Sequence, residues 1–234
     1  MTRNMRLGTE LRDDRPGFGE ALRDWVGAVC AIGWLIGLGL VVPCEATAQE
    51  LTVAESENLV RLVYYEGLPS DEAERIGPAG AARLQEMLAS PDEAKHHAQI
   101  LLALGLSGEE GSLEAIRDWA ATPREGEVDR ATFKAWQALP FALGHLAQHD
   151  ARALNDLEDQ MSSDAPTWRF RHHQGARLHG MARKAAATCI AETGLPAAGA
   201  ALDRAERVSS DGDFDAHLRE ARALYRRRVQ EGGR

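Results

Sequence analysis

Residues 90–121 read SPDEAKHHAQILLALGLSGEEGSLEAIRDWAA, and their punctuation implies two helices joined by a tight turn. Ser90-Pro91-Asp92-Glu93 offers a hydroxyl N-cap, a proline at the first helical position and a glutamate placed to close a capping box. The pattern predicts a helix over 92–104 that halts at Gly105 or Gly108, since glycine tolerates the left-handed backbone that ends helices. Ser107-Gly108-Glu109-Glu110 then opens a second helix over 110–121, with Leu113, Ile116 and, one residue adrift, Ala120 on one face.

Outward from this hairpin the helical spacing continues. Leu84, Met87 and Leu88 form one stripe, Leu154, Leu157 and Met161 another, and Leu178, Met181, Ala182 and Ala185 a third. Phe214, Leu218, Ala221 and Tyr225 carry a last face, and all these stripes read as core. No segment after Glu50 alternates polar and apolar residues over strand length. Thr122-Pro123-Arg124-Glu125 repeats the proline-bearing cap, and Gly144 and Gly194 stand where further helix ends are expected, with a place inside its helix the equal alternative for Gly144. The expected helices are 53–66, 79–89, 92–104, 110–121, 129–147, 151–162, 166–191, 196–208 and 213–229. Pro140 is expected to kink its helix, because it lacks an N–H and crowds the carbonyl four residues back.

The helices pair, and the pairs resemble one another. Ala103-Leu104-Gly105 followed by Leu113 and Ile116 matches Ala142-Leu143-Gly144 followed by Leu154 and Leu157, an offset of 39 residues. A looser copy joins Cys189-Ile190-Ala191 to Leu202 and Ala205, 47 residues on, with an insertion between Met161 and Gly175. On these residues, chiefly 79–162, the chain resembles a divergent HEAT repeat protein. The resemblance implies an all-α fold: a short right-handed solenoid of antiparallel helical hairpins, preceded here by an apolar leader helix. It departs from the family in lacking a repeated Asp/Arg ladder between turns and in the irregular copy at 166–208. The tetratricopeptide class is a poorer match, since its period of about 34 residues and its Trp/Leu/Gly/Tyr pattern are missing. HEAT-like proteins mostly bind other proteins, so the resemblance implies architecture more than activity.

The leader decides where that fold resides. Trp25–Val42 holds no charge over 18 residues, then meets Pro43 and the small-x-small pair Ala46 and Ala48. Cleavage is expected before Gln49, so residues 1–48 read as a signal peptide and 49–234 as a single helical-repeat domain. The apolar run is also just long enough to span a bilayer, so an uncleaved signal-anchor over 25–42 is the alternative. Either way the remainder is expected to be exported: periplasmic, secreted or membrane-anchored. The membrane is engaged only through an uncleaved leader.

The whole chain has a net charge of −9. The leader, 1–49, carries 5 Arg against 6 Asp and Glu, leaving the remainder at −8. That balance argues against coating nucleic acid, which needs phosphate neutralisation. Cys30 and Cys44 lie in the leader, so only Cys189 remains, no internal disulfide is expected, and Cys189 reads as a small buried hydrophobe.

Against the acidic background, Ala165–Ala191 carries Arg169, Arg171, Arg177, Arg183 and Lys184 with His172, His173 and His179, and no acid. Such a patch suits an anionic partner, because guanidinium forks pair with planar oxyanions. The blander expectation is internal pairing with the neighbouring helix, which bears Asp156, Glu158, Asp159 and Asp164. Asp156 and Asp159, with Glu86, Glu114, Asp118 and Glu158, would instead make an acidic concave face, or a merely solvated one. His145 and His149 at i, i+4 have the spacing of helix-borne metal ligands, yet no third ligand is evident, so no metal is expected. His96-His97 reads as solvated surface. Trp119, Trp136 and Trp168 are expected to anchor hairpin packing. No catalytic or cofactor motif occurs, and no cofactor is expected. The expected function is a non-enzymatic, exported scaffold for another protein. The alternatives are a membrane-tethered adaptor, or an enzyme subunit with a His/Arg site in 168–179.

Overall fold

Thr52 opens the first helix through a reciprocal capping box: its hydroxyl accepts from the Glu55 N–H, and the Glu55 carboxylate accepts from the Thr52 N–H at 2.8 Å. A computed structural model describes residues 49–124, 126–162, 168–171 and 174–232. The leader helix, the processing residues Ala46 and Ala48, and His172 and His173 lie outside the described residues. Helices dominate what is described, so the all-α class expected from the sequence holds.

The first helix, α1 (Val53–Arg61), stops five residues short of its expected end. Leu62 turns extended, and Val63 and Tyr65 stand in solvent, because the helix buries only Ser56, Leu59 and Val60. The chain then passes through α2 (Ser70–Ala73) and returns, so that Leu51 and Ile76 bridge side by side. Helix α3 (Pro78–Ala89) starts on its proline.

The next hairpin corrects the reading of the caps. Ser90-Pro91 does open a helical segment, but Pro91–His96 is a 3-10 turn without a side-chain cap. The α-helix proper, α4, runs His97–Ser107 and ends on Gly108 in the left-handed conformation. Helix α5 (Ser112–Ala121) follows left-handed Gly111, not Ser107. Thr122 ends that helix instead of starting the next, donating to the Asp118 carbonyl, and α6 (Arg130–Leu146) is capped by Asp129.

After α7 (Arg152–Ser162) comes the largest departure. The helix expected over 166–191 begins only at Gly175, as α8 (Gly175–Thr193). Ahead of it, Arg169–Phe170 (β2) pairs in parallel with Glu127–Val128 (β1). Two side chains account for this extended detour. Phe170 is buried with its ring 5.2 Å from both Phe133 and Trp136, and Trp168 packs edge-on against Trp119 at 5.4 Å. Helices α9 (Pro196–Val208) and α10 (Gly212–Gly232) complete the chain.

The helices form two rows. In one, α4, α6, α8 and α10 lie side by side and run the same way: Gly105 meets Ala142, Gly144 meets Cys189, and His217 reaches Thr188 at 3.0 Å. In the other, α5, α7 and α9 are tied by charged pairs: Arg117 to Asp156 at 2.8 Å, Arg152 to Glu114 at 2.8 Å, and Arg204 to Glu158 at 2.6 Å. Arg and acid exchange sides between these pairs: α5 gives Arg117 and takes Arg152, and α9 gives Arg204 to α7. Each such surface pair contributes about 0–1 kcal/mol, so the pairs align neighbours more than they stabilise them.

Gly105 is not a helix end, and of the two expectations for Gly144 the interior one holds. Each lies inside its helix: at Gly105 the Ala142 backbone leaves no room for a Cβ, and at Gly144 a Cβ would press on the Cys189 side chain at 3.1 Å. Between the rows, Leu104, Leu113, Ile116, Leu143, Leu157 and Ile190 are buried, so the repeated apolar positions share one core.

An apolar groove between α6 and α8

Helices α6 and α8 touch closely at Gly144 and Cys189, and Gln148 donates to the Thr193 carbonyl at 2.8 Å. Toward their N-terminal halves they enclose a groove of about 410 Å³. Trp136, Pro140 and Phe141 form one wall, Met181, Ala182 and Ala185 the other, with Ala120 and Gln160 contributing from the ends of α5 and α7. Gln137 and His179 supply polar groups. Phe141 is 45 % exposed and Met181 36 %, so the lips are apolar surface facing water. Pro140 stays inside the helix and offers no N–H to the Trp136 carbonyl in the same wall.

The aromatic cluster behind the groove holds Trp136 in place. Its ring meets Phe170 at 5.2 Å and stacks near Phe133 at 5.8 Å. Tryptophans 119, 136 and 168 thus anchor packing, and Trp136 serves the groove as well. Met181 corrects the sequence reading: it shares a stripe with buried Leu178, yet lies at the lip. Phe141 escaped the sequence reading altogether. Its signal was a large apolar residue beside Pro140, off the stripe of Ala135, Leu139, Ala142, Leu143 and Leu146 that α6 buries.

Among the described residues, no ion pair joins the basic segment to α7, where pairing was expected. Asp156 takes Arg117, and Glu158 takes Arg204, leaving Asp159 exposed. Arg183 instead donates to the Met161 carbonyl and faces Asp211 at 3.6 Å, and Lys184 binds Asp213 at 2.6 Å. Arg171 pairs with Glu127 at 3.2 Å across the β1–β2 bridge. Arg169 and Arg177 are exposed and have no ion pair with a described residue. His179 lines the groove, but its expected companions His172 and His173 are outside the described residues.

His145 and His149 are both exposed, and no cluster of three metal-ligating side chains occurs among the described residues. The His149 ring instead fills the space beside Gly108 that a Cβ would occupy. Gln49, now described, is held through its carbonyl by the Arg75 guanidinium at 2.8 Å. Cys189 is buried, and burial pushes its thiol up to about 12, which keeps it protonated and inert.

His97 is buried rather than solvated, at 6 % exposure. Trp119 Nε1–H, which can only donate, hydrogen-bonds to His97 Nδ1 at 2.9 Å, so Nε2 carries the ring's proton and donates it to the Ser90 carbonyl at 3.0 Å. Arg124 lies over Trp119 and Trp168, 5.5 and 4.9 Å from their ring centroids, and closes this corner. Burial holds the His97 pKa below its ordinary 6.5. The unfolded chain therefore takes up a proton as pH falls through 6.5 while the folded chain does not, so this contribution to stability is present above 6.5 and lost on acidification. Urea midpoints measured at neutral and mildly acidic pH are expected to fall on acidification. His97→Gln, which cannot titrate, is expected to flatten that part of the profile.

Neither a protein-family model, nor a curated protein, nor a solved structure matches this chain.

Proposed function

We propose that the protein is an exported scaffold built as a HEAT-like solenoid of helical hairpins, and that it binds another protein without chemistry of its own. The observation that carries this reading is the α6–α8 groove, whose exposed Phe141 and Met181 flank a floor of small residues. Aromatic and methionine side chains are enriched at the cores of protein interfaces, where a few such anchors dominate binding. The two rows of helices and the charged pairs along α5, α7 and α9 support the HEAT-like reading of the architecture. The uncharged run Trp25–Val42 and the Ala46-x-Ala48 pattern support export, and a mature N-terminus at Gln49 would separate a free scaffold from a tethered adaptor.

A photo-crosslinking amino acid placed at Phe141 in the native host tests the reading. A discrete protein adduct is expected there and not at exposed Arg219 on α10. Equal labelling at both positions, or lipid adducts alone at Phe141, would overturn it.

A further inference from the structure

The groove has a cationic end. Within α6 lie Arg130, Lys134 and His145 but no carboxylate, and α8 carries none before Glu192; at that end Asp129 is taken up in capping the Thr132 N–H and Glu127 in pairing with Arg171. Arg183 and Lys184 turn away to Asp211 and Asp213 on the α10 side. Lys134 and Arg177 are exposed and form no ion pair with a described residue. Because α6 and α8 run parallel, both cations stand at the same end, just ahead of Trp136 and His179 where the groove begins. In a chain of net charge −9, this is a local reversal of sign at the mouth of an apolar slot.

From this juxtaposition of a basic end with an apolar groove, and resting on the protein-binding reading above, we infer that the partner presents an amphipathic helix with acidic residues in its first turn. The stretch of α8 from His179 to Ala185 spans roughly 9 Å at 1.5 Å per residue. Apolar anchors at i, i+4 and i+7 of a helix laid in a groove span about 10.5 Å, so the outermost anchor reaches just past that stretch. The stretch is short for a long acyl chain, and the open lips at Phe141 and Met181 leave such a chain wet. Alanines 182 and 185 let a helix approach closely, while Trp136, Phe141 and Met181 supply the walls its side chains meet. Acids in a helix's first turn are themselves favoured by the helix dipole, so the partner's cost of presenting them is small. Lys134 and Arg177 then select the partner's orientation and speed its encounter more than they set its affinity.

The test uses protein purified in the form its host accumulates and fluorescent synthetic helices with leucines at i, i+4 and i+7. One helix has glutamates in its first turn, a second has lysines there, and a third has its leucines scrambled. The glutamate helix is expected to bind most tightly. Reversing both cations, Lys134→Glu with Arg177→Glu, is expected to weaken it about tenfold and to transfer preference to the lysine helix. Phe141→Ser and Met181→Ser are expected to abolish binding of both, with unchanged circular dichroism showing that the fold survives. Equal binding of the glutamate and lysine helices would overturn the charge inference while leaving the protein-binding reading intact. Failure of every helix together with binding of dodecanoate, or self-association removed by Phe141→Ser, would overturn both.

Discussion

Replacing Gly105 by alanine is expected to destabilise the protein by about 2–3 kcal/mol, the reverse of what the same change does in an ordinary helix. In a solvated helix interior, Gly→Ala is favourable by about 1 kcal/mol, because alanine loses less backbone entropy on folding. At position 105 the added Cβ would lie 2.4 Å from the Ala142 carbonyl oxygen and 2.8 Å from its Cα. These are backbone atoms of α6, so relief requires moving the helix, and moving α6 disturbs Leu139, Leu143 and Leu146 along the same seam. Gly180 provides the control within the same molecule. It too lies inside a helix, and a Cβ there meets nothing within 4 Å. Gly180→Ala is expected to stabilise by about 0.5–1 kcal/mol. Opposite shifts of the urea midpoint for the two variants would locate the tight seam at α4–α6. Stabilisation by both would mean that the two helices stand further apart.

His97→Leu is expected to cost about 2–4 kcal/mol although it places a larger hydrophobe in a buried site. The imidazole accepts from Trp119 Nε1 and donates to the Ser90 carbonyl; leucine orphans the buried indole N–H and leaves the Ser90 carbonyl with only the Glu93 N–H at 3.2 Å. An orphaned buried polar group costs about 1–3 kcal/mol. Trp119→Phe removes the donor instead and should cost less in hydrogen bonding, because a freed Nδ1 lone pair replaces an orphaned N–H, although it also trims ring contacts with Trp168 and Arg124. The two effects should not add. Once His97 is leucine, removing the indole N–H relieves a penalty, so the double variant should be more stable than the sum of the single losses predicts, by about 1 kcal/mol or more. Strict additivity in a double-mutant cycle would mean that the Trp119–His97 bond carries no energy.

The helical class and most element positions were legible because each amphipathic stripe is a local pattern: Leu113 with Ile116, and Leu154 with Leu157, are spaced by the helix itself. The repeated Leu-Gly pairs were legible too, but their meaning was not. A glycine near a helix end and a glycine at a helix crossing look alike in one dimension, and only the approach of Ala142 to Gly105 tells them apart. The start of α8 was missed for a related reason. Trp168 and Phe170 join Trp119, Phe133 and Trp136 in an aromatic cluster that brings together residues up to about 50 positions apart, and no local pattern announces it.

The candidate site divides in the same way. The chain's composition already contained the local reversal of sign in 165–191, since charge content needs no fold to be counted. Which carboxylates neutralise which arginines was a matter of helix neighbours: α7 gives Asp156 to α5 and Glu158 to α9, leaving Lys134 and Arg177 exposed with no ion pair to a described residue. Periodicity resides in a single helix and survives in the bare sequence. Contact across helices depends on how each is rotated and spaced against its neighbours, and that is settled only when Gly105, Gly144 and the aromatic cluster pack against residues some 40 positions away.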